Sequence, residues 1–283
     1  MAQNPLTTST RWALDIFLID GQARNLAPST IRGYRQQITW FNDFLALQNC
    51  HDLNEITPHH IRTYLFHLQT ERNWRPASVH AAARSIRAFL NFSHAEELLA
   101  TNPMARVKMP KVKDDPLPAF SPEEIHTLLA AVHIQRDKAL LLCLLDTGCR
   151  AREFLAWNVG DVNLPAGTVR VRQTKNGKER TVYLGMRSRR ELLKLLGGQS
   201  LAPDEPVWRN LHSGARFQYD GLKTLLRDLG DATGVKPCGA HRFRRTFALL
   251  SLRNGMNIFA LQRIMGHADL TILQRYLALL DED

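Results

Sequence analysis

HRFRRTFALLSLRNGMNIFALQRIMGHADLTILQRY, residues 241–276, decides how this chain is read. It contains His241-x-x-Arg244, the pair Gly266-His267 and, nine residues beyond that histidine, Tyr276. At helical spacing His241 and Arg244 share one face. The same half of the chain carries Thr147-Gly148-Cys149-Arg150 with Glu153 just after it, and the lysine-bearing turn Thr174-Lys175-Asn176-Gly177-Lys178. Two arginines, two histidines, a lysine and a tyrosine are the groups needed to attack a phosphodiester without a metal. Guanidiniums hold a phosphate through charge-assisted hydrogen bonds, imidazoles and an amine move protons, and a phenol is a nucleophile.

Each of these residues alone has an ordinary explanation. Tyr276 sits in an apolar helical pattern where a tyrosine packs. A histidine at a helix C-terminus satisfies the dipole, Arg150 has an ion-pair partner in Glu153, and a hairpin lysine is solvated. Order and spacing are what carry the information.

Outward from this stretch, the first hundred residues read as four amphipathic helices. Apolar residues recur from Thr10 to Asp20, then from Pro28 to Gln48 with Ile31, Tyr34, Ile38, Phe41, Phe44 and Leu45 on one face. Thr57-Pro58 is an N-cap followed by proline at the first helical position, leading into Ile61, Tyr64, Leu65 and Leu68. A fourth helix runs from Pro76 to Ala95. Pro103, Pro110, Pro116 and Pro118 among lysines then favour extended chain, a linker. Ser121-Pro122-Glu123-Glu124 opens a second half that is helical to Asp146, with Thr147-Gly148 breaking the run before a short helix from Arg150. Residues 168–172 and 180–184 alternate around Asn176-Gly177, a β-hairpin signal. Helices are expected from Arg187 to the end. The expected fold is therefore mainly α with a small antiparallel β-sheet: a helical domain over 1–105, a basic linker over 106–120 and an α+β domain over 121–283.

The formal charge is +10 and the isoelectric point about 9.8, so a polyanion is the first partner to consider. The basic residues cluster at the linker and the hairpin. Lys108, Lys111 and Lys113 in the first, and Arg172, Lys178 and Arg180 in the second, are expected to face DNA. The four cysteines, Cys50, Cys143, Cys149 and Cys238, show neither paired spacing nor a metal-ligand pattern, which fits a reduced, cytoplasmic setting. The N-terminus lacks the pattern of a signal peptide, and no apolar run approaches the roughly 20 residues needed to span a bilayer, so no membrane partner is expected.

The series Thr-Gly-x-Arg-x-x-Glu, hairpin lysine, His-x-x-Arg, Gly-His and tyrosine resembles the tyrosine recombinase family of phage integrases and Xer-type resolvases. The resemblance spans nearly the whole chain and is specific in its second half. It implies an N-terminal helical core-DNA-binding domain and a catalytic domain. It also implies a site-specific recombinase acting through a 3′-phosphotyrosyl intermediate, with no metal or cofactor. Carried over by position, Arg150 and Arg244 clamp the scissile phosphate, Tyr276 is the nucleophile and His241 assists its deprotonation. Lys175 is the general acid, with Lys178 the competing candidate; His267 donates to the phosphate and Glu153 is structural. Arg245-Thr246 stands where the family often has His-Ser, placing one more charge, Arg245, beside the clamp and toward DNA. The implied partners are double-stranded DNA with specific recombination sites and three further copies in a homo-tetramer, with a second recombinase or accessory protein left open. Residues 277–283 are expected to couple neighbouring subunits through Leu277, Leu279 and Leu280, or another surface serves. The simpler two-domain type of the family is expected. Two rivals have distinct signatures: a type IB topoisomerase relaxes supercoils irrespective of sequence, and an inactive DNA-binding protein binds without cleaving.

Overall fold

The computed structural model describes residues 8–112, 118–172 and 179–266. The chain divides into two compact units, Met1–Asp115 and Pro116–Asp283, each with its own hydrophobic core.

Four helices build the first unit: α1 (Thr10–Ala23), α2 (Pro28–Ala46), α3 (Pro58–Thr70) and α4 (Pro76–Ala95). Proline occupies the first position of the last three, where its missing N–H costs no hydrogen bond. Thr57 caps α3 in a reciprocal box with His60. After each helix one residue turns left-handed, Asn25, Asn49, Asn73 and Glu97, and three of the four are asparagine, the side chain that tolerates this region best. The buried faces meet around Ile38, Phe41, Leu45, Ile61, Ile86, Phe89 and Leu90. Phe17 joins three rings, with centroids 5.0 Å from Tyr34, 5.7 Å from Phe89 and 5.3 Å from Phe92.

The proline-rich segment is less free than a linker over 106–120 implies. Pro103–Arg106 forms a 3-10 turn with Pro103 and Met104 buried, and Val107 and Met109 lie against the same core. Arg62 donates to the Arg106 carbonyl at 2.8 Å, and the His80 ring bonds the Pro110 carbonyl at 2.8 Å. Apolar residues alternating with lysines let one side of the extended chain adhere while Lys108 and Lys111 stay exposed. Lys113 lies outside the described residues.

The second unit begins with α5 (Pro122–Ala130), capped by Ser121 and Glu124 in a reciprocal box, and α6 (Gln135–Thr147). Then come α7 (Ala151–Leu155) and a three-stranded antiparallel sheet in the order β1 (Val162–Asn163), β2 (Thr168–Val171), β3 (Arg180–Tyr183). Val169 pairs with Val182 and Val171 with Arg180. The sheet is followed by α8 (Met186–Leu196), α9 (Tyr219–Thr233), α10 (Ala240–Arg253) and α11 (Ile258–Met265). Strand β1 goes beyond the hairpin read from sequence, since two residues are too few to show a period. The expected unbroken helices after Arg187 are interrupted as well. Residues 197–218 form turns and two isolated bridges, Asn158 to Pro206 and Arg209 to Arg216. Pro203 and Pro206 cannot donate to a helix, and the excursion carries Trp208 into the core, stacked on Phe154 at 4.6 Å.

Helix α10 is tied to the start of its unit. Arg242 is buried and donates to the carbonyls of Pro118 and Ala119 and to the Glu124 carboxylate at 2.6 Å, with its guanidinium 4.2 Å over the Phe120 ring. The Thr246 hydroxyl accepts the Phe120 N–H at 2.8 Å. These contacts set the helix that carries His241 and Arg244.

Candidate active site

Gly148 ends α6 in a left-handed turn, and a Cβ there would meet the Phe247 ring at 2.2 Å, so both backbone and packing demand glycine. The turn delivers Arg150 to the N-cap of α7, one turn before Glu153. Glu153, 4% exposed, accepts the Arg150 backbone N–H at 3.2 Å and its Nη1 at 2.9 Å. From β3, Arg180 reaches the same carboxylate with Nη2 at 2.6 Å. Burial alone would raise the Glu153 carboxyl, but Arg180 and then Arg150 outweigh it and hold it below its ordinary value.

Arg244 projects from α10, one turn after His241, and is 6% exposed. Its Nη1 donates to the Gly148 carbonyl and its Nη2 to the Met265 carbonyl at 2.9 Å. Burial, and then the neighbouring Arg150, pull its pKa down to about 10, still far enough above neutrality to leave it charged. Arg150 Nη2 donates to the Gly266 carbonyl at 3.0 Å. The Glu153 carboxylate is thus bonded to two guanidiniums, those of Arg150 and Arg180, while its charge reaches the third, Arg244, only through space. The uncompensated positive charge suits a phosphodiester.

His241 stands in the first turn of α10. Its ring reaches the surface, yet the atoms packed around it desolvate the imidazolium. That desolvation, followed by the charges of Arg244, Arg245 and Arg150, lowers its pKa from 6.5. A neutral imidazole is what a proton acceptor requires.

The structure therefore brings Arg150, Arg244 and His241 together with Glu153. Lys175, Lys178, His267 and Tyr276 lie outside the described residues. Arg172 and Arg245 are partly exposed, the former paired with Asp161. Arg180 is turned inward. Expected to face DNA, it is 8% exposed, with Nε donating to the Ile264 carbonyl at 2.7 Å and Nη2 to Glu153. Strand alternation turns its side chain inward, which a count of basic residues does not reveal.

The model of the phage integrase family matches residues 119–283, more than half of the chain. The chain belongs to the phage integrase family. Residues 14–97 match the family's N-terminal SAM-like domain. Among relatives, tyrosine recombinase XerC of a Roseiflexus species is 28% identical over 266 residues, covering 89% of this chain and 84% of that protein. Tyrosine recombinase XerA of Saccharolobus solfataricus is 35% identical over 182 residues, 64% of this chain and 59% of that one. A solved lambda integrase tetramer bound to a Holliday junction shares the fold with TM-score 0.76 at 17% identity, covering 93% of this chain and 78% of that one. Family membership accounts for the mainly helical fold with one small sheet.

Proposed function

We propose that this protein is a site-specific DNA recombinase that cleaves and rejoins strands through Tyr276. The observation that carries the reading is the pair of guanidiniums, Arg150 and Arg244, both held by backbone carbonyls, with Arg150 also paired with Glu153. Charge set in place before the reaction needs no reorganisation when negative charge grows on the phosphate, and removing one such donor typically costs about 10²–10³ in rate.

The Tyr276 oxygen attacks phosphorus as neutral His241 draws off the phenolic proton. The P–O5′ bond breaks, and the leaving sugar oxygen takes a proton from Lys175, or from Lys178 on the same turn. His267 donates to the phosphate. The product is a 3′-phosphotyrosyl link and a free 5′-hydroxyl. A second 5′-hydroxyl attacks that link and expels the tyrosine. One phosphoester replaces another, so the bond energy is conserved and the step needs no nucleotide hydrolysis.

The first unit, residues 1–105, serves as the core-DNA-binding domain, residues 106–120 link it, and residues 121–283 catalyse. Lys108, Lys111, Lys113, Arg172, Lys178 and Arg245 meet the DNA backbone. Four copies act on two duplexes, a reading supported by the tetrameric lambda assembly on a Holliday junction, and the setting is the cytoplasm. Footprinting on DNA flanking the native gene locates a site, and a nicked duplex bearing it traps the intermediate. A covalent adduct on a denaturing gel is expected, absent in Tyr276→Phe; an adduct undiminished in that variant refutes the assignment.

A further inference from the structure

Three consecutive carbonyls at the C-terminal end of α11 each accept a different guanidinium. Ile264 takes Arg180 Nε at 2.7 Å, Met265 takes Arg244 Nη2 at 2.9 Å, and Gly266 takes Arg150 Nη2 at 3.0 Å. The last carbonyls of a helix lack intrahelical partners and lie at the negative end of its dipole, so they favour cations. Gly266, left-handed at φ 66°, closes the helix immediately before His267 in the chain. Two of these arginines belong to the proposed phosphate clamp. The third, Arg180, is the first residue of β3, just past the lysine-bearing turn.

We infer that Arg180 is a positioning residue for strand cleavage: bridging the Ile264 carbonyl and the Glu153 carboxylate, it fixes Arg150 against the scissile phosphate. The connection is a short chain of direct bonds. Glu153 Oε2 takes Arg180 Nη2 at 2.6 Å and the Arg150 backbone N–H at 3.2 Å, while Oε1 takes Arg150 Nη1 at 2.9 Å. With Arg180 gone, the carboxylate keeps only Arg150 among these donors and can swing with it. Because Arg180 also anchors the start of β3, it ties the strand leaving the Lys175 turn to the helix end that precedes His267. The space is closely filled: a Cβ on Gly266 would lie 3.1 Å from Arg180 Nη1. A buried guanidinium committed in this way does not need to touch DNA to govern cleavage.

The inference rests on the tyrosine reaction proposed above, and its test separates the two. Arg180→Gln and Arg180→Lys are compared with wild type for single-turnover adduct formation on the nicked duplex at saturating protein. Affinity for the same DNA is measured across a salt series, and folding by circular dichroism, with Tyr276→Phe in parallel. The expected result is a cleavage rate about 10- to 100-fold lower in Arg180→Gln, unchanged affinity and salt slope, and partial recovery in Arg180→Lys. Combined with Glu153→Gln, Arg180→Gln should add little further loss, because both act on the same link. Unchanged cleavage in a folded variant overturns the inference. So does weaker binding with a salt slope reduced by about one and normal saturated cleavage, the signature of a phosphate contact. Should Arg180→Gln unfold, Arg180→Lys decides alone. Should both unfold, 15N resonances of the wild-type arginines decide, since freely rotating Arg150 and Arg180 guanidiniums would overturn it. An adduct persisting in Tyr276→Phe strikes the nucleophile and leaves the Arg180 comparison readable.

Discussion

Replacing Glu153 by glutamine removes one charge while keeping the shape of the side chain, and the structure allows its cost to be worked out. The carboxylate accepts three hydrogen bonds, from Arg150 Nη1, the Arg150 N–H and Arg180 Nη2. A glutamine retains one acceptor oxygen, so in either orientation its NH2 faces a donor. Losing a hydrogen bond to a charged group costs about 1.5–3 kcal/mol. Leaving a buried charge without its partner costs about 3–5 kcal/mol. Arg180 is 8% exposed and feels most of this, whereas Arg150, at 31%, recovers part through water. Glutamine also avoids the desolvation penalty of the carboxylate. The expected loss is therefore at the low end, about 3 kcal/mol. With a urea slope of about 1–3 kcal/mol/M, the midpoint of the second unit should fall by roughly 1–3 M. Incorporated 5-fluorotryptophan makes the assay specific, because Trp157 and Trp208 report the second unit and Trp12, Trp40 and Trp74 the first. Acid dependence supplies the sign. The Glu153 carboxyl is held below 4.5 in the native state, so the unfolded chain binds the extra proton first. The stabilisation is full above 4.5 and is lost as pH falls through the lowered native value, and the variant should lack that component. A variant with the wild-type midpoint and wild-type acid dependence would show that the two arginines do not depend on this carboxylate.

Titration of His241 by NMR in the free protein should give a midpoint below 6.5, since burial and then Arg244, Arg245 and Arg150 all disfavour the imidazolium. Protons then bind the unfolded state first, so this residue lowers stability as pH falls below 6.5; a midpoint above 6.5 would contradict the environment described. Of the two turn lysines, Lys175→Ala should slow cleavage by about 10²–10⁴-fold and regain rate on DNA with a sulfur leaving atom, which needs no acid. If Lys178→Ala alone behaves so, the general acid is Lys178. Replacing Lys108, Lys111 and Lys113 together by alanine should weaken binding across sequences and flatten the salt slope by about 0.9 per lost phosphate contact. An unchanged slope would place that segment away from the backbone.

Local signals made much of this protein legible in its sequence. Proline after an N-cap marked the starts of α3 and α5 within a residue, because the cap and the missing N–H act where they stand. Asn176-Gly177 between alternating residues marked β2 and β3. The motif order singled out Arg150, His241 and Arg244, which the structure gathers around Glu153, and the family assignment follows from the same half of the chain. Short or nonlocal features escaped. Strand β1 is two residues long, and residues 197–218 leave the helical pattern to seat Trp208 against Phe154. The adherence of Val107 and Met109 depends on a surface made by other helices.

Arg180 shows the division most clearly. Sequence alone determined that a basic residue opens the second strand of a hairpin, and charge counting sent it toward DNA. Only the tertiary structure decided that it points inward, because burial beside Glu153 depends on α7 and α11 meeting β3. The carbonyls of Ile264, Met265 and Gly266 carry no side-chain chemistry that a motif can record. Their value as acceptors comes from the end of a helix brought against three arginines distant in the chain. The sequence named the groups that carry charge and protons; packing decided how three of the arginines are held, by the carbonyls at the end of α11 and by Glu153.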